Sequence, residues 1–187
     1  MTAREKRLWG LASLWLLLIY STLSLVRAPI TYLRDQNLLR LAVGLVFLFT
    51  AAAVLAVLVR RRPGRREWSV LVCFMVLYLA AMAVLELPEE RLHLLEYGVF
   101  AVLVYYALLE RRDLGDLAVS TGGPERLRIA FVAVLITLAA GWVDEGIQGL
   151  LTERHYDNRD VVLNALAGLL AVGAMYSAAA ARRRDRL

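Results

Sequence analysis

Cysteine is almost absent: Cys73, within an apolar stretch, is the single one in 187 residues. One thiol excludes an internal disulfide and any paired-cysteine metal spacing, and leaves Cys73 as a small core residue. Also missing are a serine nucleophile motif, a His-Glu-x-x-His pair and a glycine loop that would cradle phosphate, the local signatures of common hydrolases and nucleotide-binding enzymes. There is no internal repeat, no linker-separated domain, and no polar segment long enough to form a soluble domain. Short segments of alternating polarity, which a membrane barrel would need, are missing as well.

What remains is long apolar sequence. Hydrophobic residues make up 60% of the chain, and the mean hydropathy is +0.58. The charges are clustered rather than interspersed. A hydrocarbon layer of about 30 Å is crossed by about 20 apolar helical residues, and only helices satisfy their own backbone there without a closed barrel. The expected fold is therefore an all-α, polytopic transmembrane bundle of about six helices forming a single domain over residues 1–187. The spans are predicted near 8–26, 38–59, 68–87, 92–109, 129–143 and 161–181. A core of four spans with two re-entrant or peripheral helices is the alternative. The first apolar run follows Arg4, Lys6 and Arg7 as a signal peptide would, but it is longer than a signal core and lacks a small-x-small cleavage site, so it reads as a retained helix.

Basic residues orient the bundle. The N-terminus, the 60–66 loop, the 110–128 loop and the C-terminal tail hold 16 of the 22 Lys and Arg residues, and the opposite side holds six. The positive-inside rule then puts both termini in the cytoplasm, consistent with an even number of spans. The net charge of +5 follows from this belt and its contact with anionic headgroups. No nucleic-acid motif interrupts the spans, and nucleic acid is not expected as a partner.

The remaining polar residues fall at the other, outward end. His93 and Glu96 open the fourth span, and Asp144, Glu145 and Gln148 follow the fifth. Arg154, His155, Asp157, Arg159 and Asp160 fill the next connection, and Asn164 lies one turn inside the sixth span. Ionisable groups near hydrocarbon are costly and face the bundle interior or water, with partners. Spacings of three and four place His93 with Glu96, and Asp160 with Asn164 and Gly168, on common helix faces. Asp144, Glu145 and Gln148 share a side if the fifth helix continues through them. Gly141, Gly146, Gly149 and Gly168 would let helices approach closely, or loosen the helix around the acids.

Each group has a plainer reading beside the chemical one. His93 and Glu96 could simply stabilise a helix start, or act as an acid/base pair or half of a metal site whose other ligands would be Asp144, Glu145 and His155. One of Asp144 and Glu145 could latch onto Arg154 or Arg159, leaving the other to act; two acids against apolar walls could also serve as acid and base. Asp160 and Asn164 read as a helix cap and an interhelical hydrogen bond. Arg154 and Arg159 suit a phosphate or carboxylate, or the neighbouring acids. Trp68, Tyr97 and Tyr156 read as interfacial anchors. No metal site is assigned, and no cofactor is indicated.

The motifs in series are His93-Leu94-Leu95-Glu96-Tyr97, Asp144-Glu145-Gly146-Ile147-Gln148, Arg154, Asp160, and Asn164-Ala165-Leu166-Ala167-Gly168. In order and spacing they resemble the VanZ-like family of small bacterial membrane proteins, over residues 89–173. Three features depart from the family pattern. Glu89-Glu90-Arg91 stands where an Asp-Lys pair is common, and Thr152-Glu153 precedes Arg154 in place of Pro-Gly. His155, Tyr156 and Asp157 also replace small residues. The resemblance implies a multi-pass protein of the bacterial cytoplasmic membrane, and its founding member is associated with low-level resistance to teicoplanin, a lipid-bearing glycopeptide antibiotic. The expected function is binding of an anionic lipid-linked envelope component or a glycopeptide at the outward cluster, with His93, Glu96, Asp144 and Glu145 as catalytic candidates and Gln148, Arg154, Asp160 and Asn164 as ligand-binding ones. Membrane lipids are the surrounding partners. The alternatives are an intramembrane hydrolase or transferase acting on an envelope lipid, and a small transporter, against which the apolar inner halves of the helices argue.

Overall fold

The computed structural model describes residues 1–25, 27–113, 123–151 and 156–185. They form seven α-helices: α1 (Ala3–Leu25), α2 (Arg27–Asp35), α3 (Leu39–Arg61), α4 (Arg65–Val84), α5 (Pro88–Asp113), α6 (Gly123–Leu150) and α7 (Asn158–Arg184). No strand occurs among the described residues. Five helices are long and apolar enough to cross a membrane: Leu39–Arg61, Arg65–Val84, Glu90–Arg112, Pro124–Leu150 and Asn158–Arg184. This is the architecture of a multi-pass membrane protein.

The outer surface explains why so apolar a chain needs hydrocarbon around it. Leu41, Leu48, Phe49, Leu55 and Val59 of α3, with Val72, Val76 and Leu79 of α4, are exposed. Exposed apolar surface of that extent would drive aggregation in water, whereas in lipid it is the solvent-facing side.

Proline and left-handed backbone mark the boundaries. Pro88 opens α5, where its missing N–H removes no helix bond, so α4 ends earlier than expected, at Val84. The 62–64 turn is entered through Arg62, which adopts φ 49° and closes α3 by donating its N–H to the Leu58 carbonyl. Two elements differ from the sequence-based expectation. The nine-residue α2 occupies a stretch expected to be a loop, and it is too short to register as an apolar span. The helix expected to end near Val143 runs on to Leu150, because the polar side chains of its last two turns are buried against neighbours rather than directed into lipid.

The core is built by α5, α6 and α7, with α1 laid against α5 and α4 against α7. Lipid tails are as apolar as leucine, so close packing of small residues must hold such helices together. A Cβ added at Gly168 of α7 would sit 3.0 Å from Thr137 Cγ2 of α6 and 3.5 Å from Ala101 Cβ of α5. Gly173 takes the Phe74 ring of α4, where an added Cβ would lie 2.9 Å from Cε1. Between these contacts Ala101, Val104, Ala133, Ala167 and Val172 fill the middle of the bundle.

The arginine-rich end is tied by ion pairs between helices. Arg4 of α1 lies 3.5 Å from Glu110 of α5, Arg182 of α7 lies 3.4 Å from Glu67 of α4, and Arg66 lies 3.6 Å from Asp185. Arg112 of α5 pairs with Glu125 of α6. The belt therefore also fastens helix ends to one another.

Candidate functional site at the polar end of the bundle

At the opposite end, α5, α6 and α7 bring polar side chains inward. Because α6 continues past Val143, Asp144, Glu145 and Gln148 share one buried face, as their spacing requires. Asp144 and Asn164 are fully buried, and Glu145 and Gln148 nearly so. Tyr97 of α5 is also fully buried, with its hydroxyl set against the Asp144 carboxylate. It is thus an interior residue and not the interfacial anchor expected from its position. His93 stacks on the Tyr97 ring with centroids 6.3 Å apart and planes inclined by 23°. Glu96 is half-buried and close enough to Asp144 for the two charges to interact.

The adjacent acids have separate roles. Glu145 accepts a 2.8 Å hydrogen bond from Gln148 Nε2 and a 3.2 Å bond from the Asp157 backbone N–H. It therefore clamps the end of α6 to the residue that begins α7. Gln148 Nε2 also lies 3.5 Å from Asp144 Oδ2. Glu145 is the latch, held by an amide and a backbone N–H in place of Arg159. The Arg159 side chain is exposed, and its backbone N–H donates to Asp157 Oδ1 at 2.8 Å. That bond makes Asp157 the N-cap of α7, the role the sequence suggested for Asp160. Asp160 sits instead in the first turn, half-buried, where its charge suits the helix dipole.

Asn164 makes no interhelical hydrogen bond. Both its Oδ1 and its Nδ2 are buried without a partner, although unsatisfied buried amides are rare. Its position is fixed by Gly141, where an added Cβ would lie 2.7 Å from Asn164 Cβ and 2.9 Å from Nδ2. Gly149 likewise admits Tyr156, with 3.3 Å from an added Cβ to Tyr156 Cβ. Gly146 has open space around it and serves no close approach.

Helix α1 contributes residues that the motif reading missed. Trp15 Nε1–H donates to the Glu96 carbonyl at 2.9 Å, and the Tyr20 hydroxyl donates to the Ala140 carbonyl at 2.8 Å. Tyr20 also feels the Asp144 charge. The available signal was an indole and a phenol inside an apolar run, since their polar tips need partners when buried. Ala12 and Ile19 on the same face are buried, so α1 is an integral wall of the bundle.

Arg154 and His155, expected as ligand-binding residue and possible metal ligand, lie outside the described residues. Among the described residues no group of three or more His, Cys, Asp and Glu side chains is arranged to hold a metal ion. The arrangement can hydrogen-bond a polar group or water through Asn164 and Tyr97 and exchange protons through Asp144 and Glu96. No protein-family model, curated protein or solved structure matches the chain.

Proposed function

We propose that this is a VanZ-like, six-span protein of the bacterial cytoplasmic membrane, with α1 as the sixth span and both termini in the cytoplasm. In this reading the polar end of the bundle faces outward and binds the polar part of an anionic lipid-linked envelope component or of a teicoplanin-like glycopeptide. The observation that carries the reading is Asn164, whose buried amide has no partner in the bundle and lies one helix away from the Asp144 and Tyr97 pair. An unpaired polar group in the interior costs about 1–3 kcal/mol, so its retention favours a use beyond packing. Arg159 at the same end, and Arg154 by sequence, supply guanidinium groups suited to phosphate or carboxylate.

The test is binding of a lipid-linked cell-wall intermediate to the full chain in nanodiscs. Asn164→Leu and Asp144→Asn are expected to weaken it at least about tenfold, a loss of about 1.4 kcal/mol, with the fold intact by thermal unfolding. Equal binding by wild type and both variants would remove the proposal.

A second reading, an intramembrane hydrolase or transferase, draws on the closeness of Glu96 and Asp144. Neighbouring carboxylates divide into acid and base when their environments differ. Turnover of an isoprenoid-phosphate substrate, abolished in Glu96→Gln, would favour it over binding alone.

A further inference from the structure

One face of α6 carries an apolar groove that the polar cluster does not use. Leu135, Leu138, Ala139 and Trp142 follow one another along it at helical spacing, and Val161 of α7 forms the other wall. The groove encloses about 360 Å³, which is within the range of small-ligand sites. Ala139 makes the depression, because its exposed methyl stands among the larger side chains of Leu135, Leu138 and Trp142.

Position in the fold says what can enter. Both walls belong to helices long and apolar enough to cross a membrane, so the groove opens onto hydrocarbon and not onto water. Its upper end meets the polar cluster. From Leu135 to Trp142 α6 rises about 10 Å, and Glu145 stands only about 4.5 Å further along the axis. Glu145 is clamped to the Asp157 N–H, four residues before Val161. An apolar trough and a polar cluster therefore adjoin within one helical turn, the layout that an amphiphile with one chain and one polar head would match. Trp142 carries the single side-chain hydrogen-bond donor of the lining. The residue is 62% exposed, and its indole N–H has no acceptor among the described residues.

We propose that this groove takes the hydrocarbon chain of the same molecule whose polar part binds at the polar end, so that the ligand is held in the bilayer by head and chain together. The inference rests on the binding reading above and narrows it to ligands that carry a chain. The chain runs along α6 from Trp142 towards Leu135, and the indole N–H donates to an oxygen where chain and head join. Bilayer and groove are equally apolar, so entry of the chain gains packing contacts without a hydrophobic driving force. The groove thus adds modestly to affinity, and its main effect is to fix where the head stands against the polar cluster.

The test uses the full chain in phosphatidylcholine nanodiscs and a lipid-linked cell-wall intermediate with a photoreactive diazirine in the part of its chain next to the head. Ala139→Phe fills the groove and should weaken binding about fivefold, and Ala139→Leu about twofold. Ala52→Phe makes the same change on the exposed surface of α3 and should bind as wild type does. Both positions are exposed, so the unfolding temperature should not move. Irradiation should label residues 135–142 in the wild type and lose that label in Ala139→Phe. Unchanged affinity and labelling in Ala139→Phe, with binding still lost in Asn164→Leu, would overturn the groove and leave the polar site standing. Equal weakening by Ala52→Phe, or labelling of α3 as strong as that of α6, would also overturn it. No binding to the wild type would instead remove the polar-end reading, and this inference with it.

Discussion

The two ends of the bundle handle charge in opposite ways. At the arginine-rich end, most charged side chains reach solvent and meet partners on other helices, as Arg4 does with Glu110 and Arg66 with Asp185. At the polar end, Asp144, Glu145, Gln148 and Asn164 are withdrawn from the surface, and the amide of Asn164 is left without a partner. Exposed ion pairs are worth little and tolerate change. Buried polar groups are costly unless satisfied, so they persist where they contribute something other than stability. The contrast separates a fastening belt from a candidate site.

Substitutions can break or sharpen this contrast. The largest effect is expected at Gly141. An alanine there would bring its Cβ within 2.7 Å of Asn164 Cβ, forcing α6 and α7 apart at a cost of about 3 kcal/mol. A large fall in the unfolding temperature would confirm it, and a silent variant would mean that the two helices do not meet this closely. Asn164→Leu comes next and has the opposite sign. Removing an unsatisfied amide should leave stability unchanged or raise it by about 1 kcal/mol while binding is lost. Destabilisation by more than 2 kcal/mol, on the order of a broken buried network, would return Asn164 to a structural role.

Trp15→Phe and Tyr20→Phe each remove one hydrogen bond to a helix carbonyl, at 2.9 and 2.8 Å. Each should lower stability by about 1 kcal/mol, measured by equilibrium unfolding. The smallest effect is expected in the belt. Arg66 is 64% exposed in its pair with the 27% exposed Asp185, so solvent screening leaves Arg66→Ala costing no more than about 0.5 kcal/mol. A larger loss would show that the belt carries as much of the fold as the core.

Much of the architecture was legible in the primary structure. The apolar runs near 38–59, 92–109 and 161–181 fall within or close to α3, α5 and α7, because hydrocarbon permits only one regular structure for such runs. The spacing of His93 with Glu96 and of Asp144 with Gln148 put the right residues on common faces. The extension of α6 to Leu150 and the existence of α2 were not legible. The polar end of α6 looks unfit for a membrane helix until its side chains are seen buried, and α2 is too short for apolar length to reveal it.

By itself, the sequence determined an all-helical chain with several helices apolar enough to cross a membrane and a polar end made by three segments, because hydropathy and helical period are properties of each segment alone. Only the tertiary structure decided which acid is bound and which amide is not. Glu145 is held by Gln148 and the Asp157 N–H, Asn164 is packed against Gly141, and Trp15 and Tyr20 of α1 wall the cluster from a distant part of the chain. Partnership and burial depend on how helices far apart in sequence lie against one another, which no local pattern encodes.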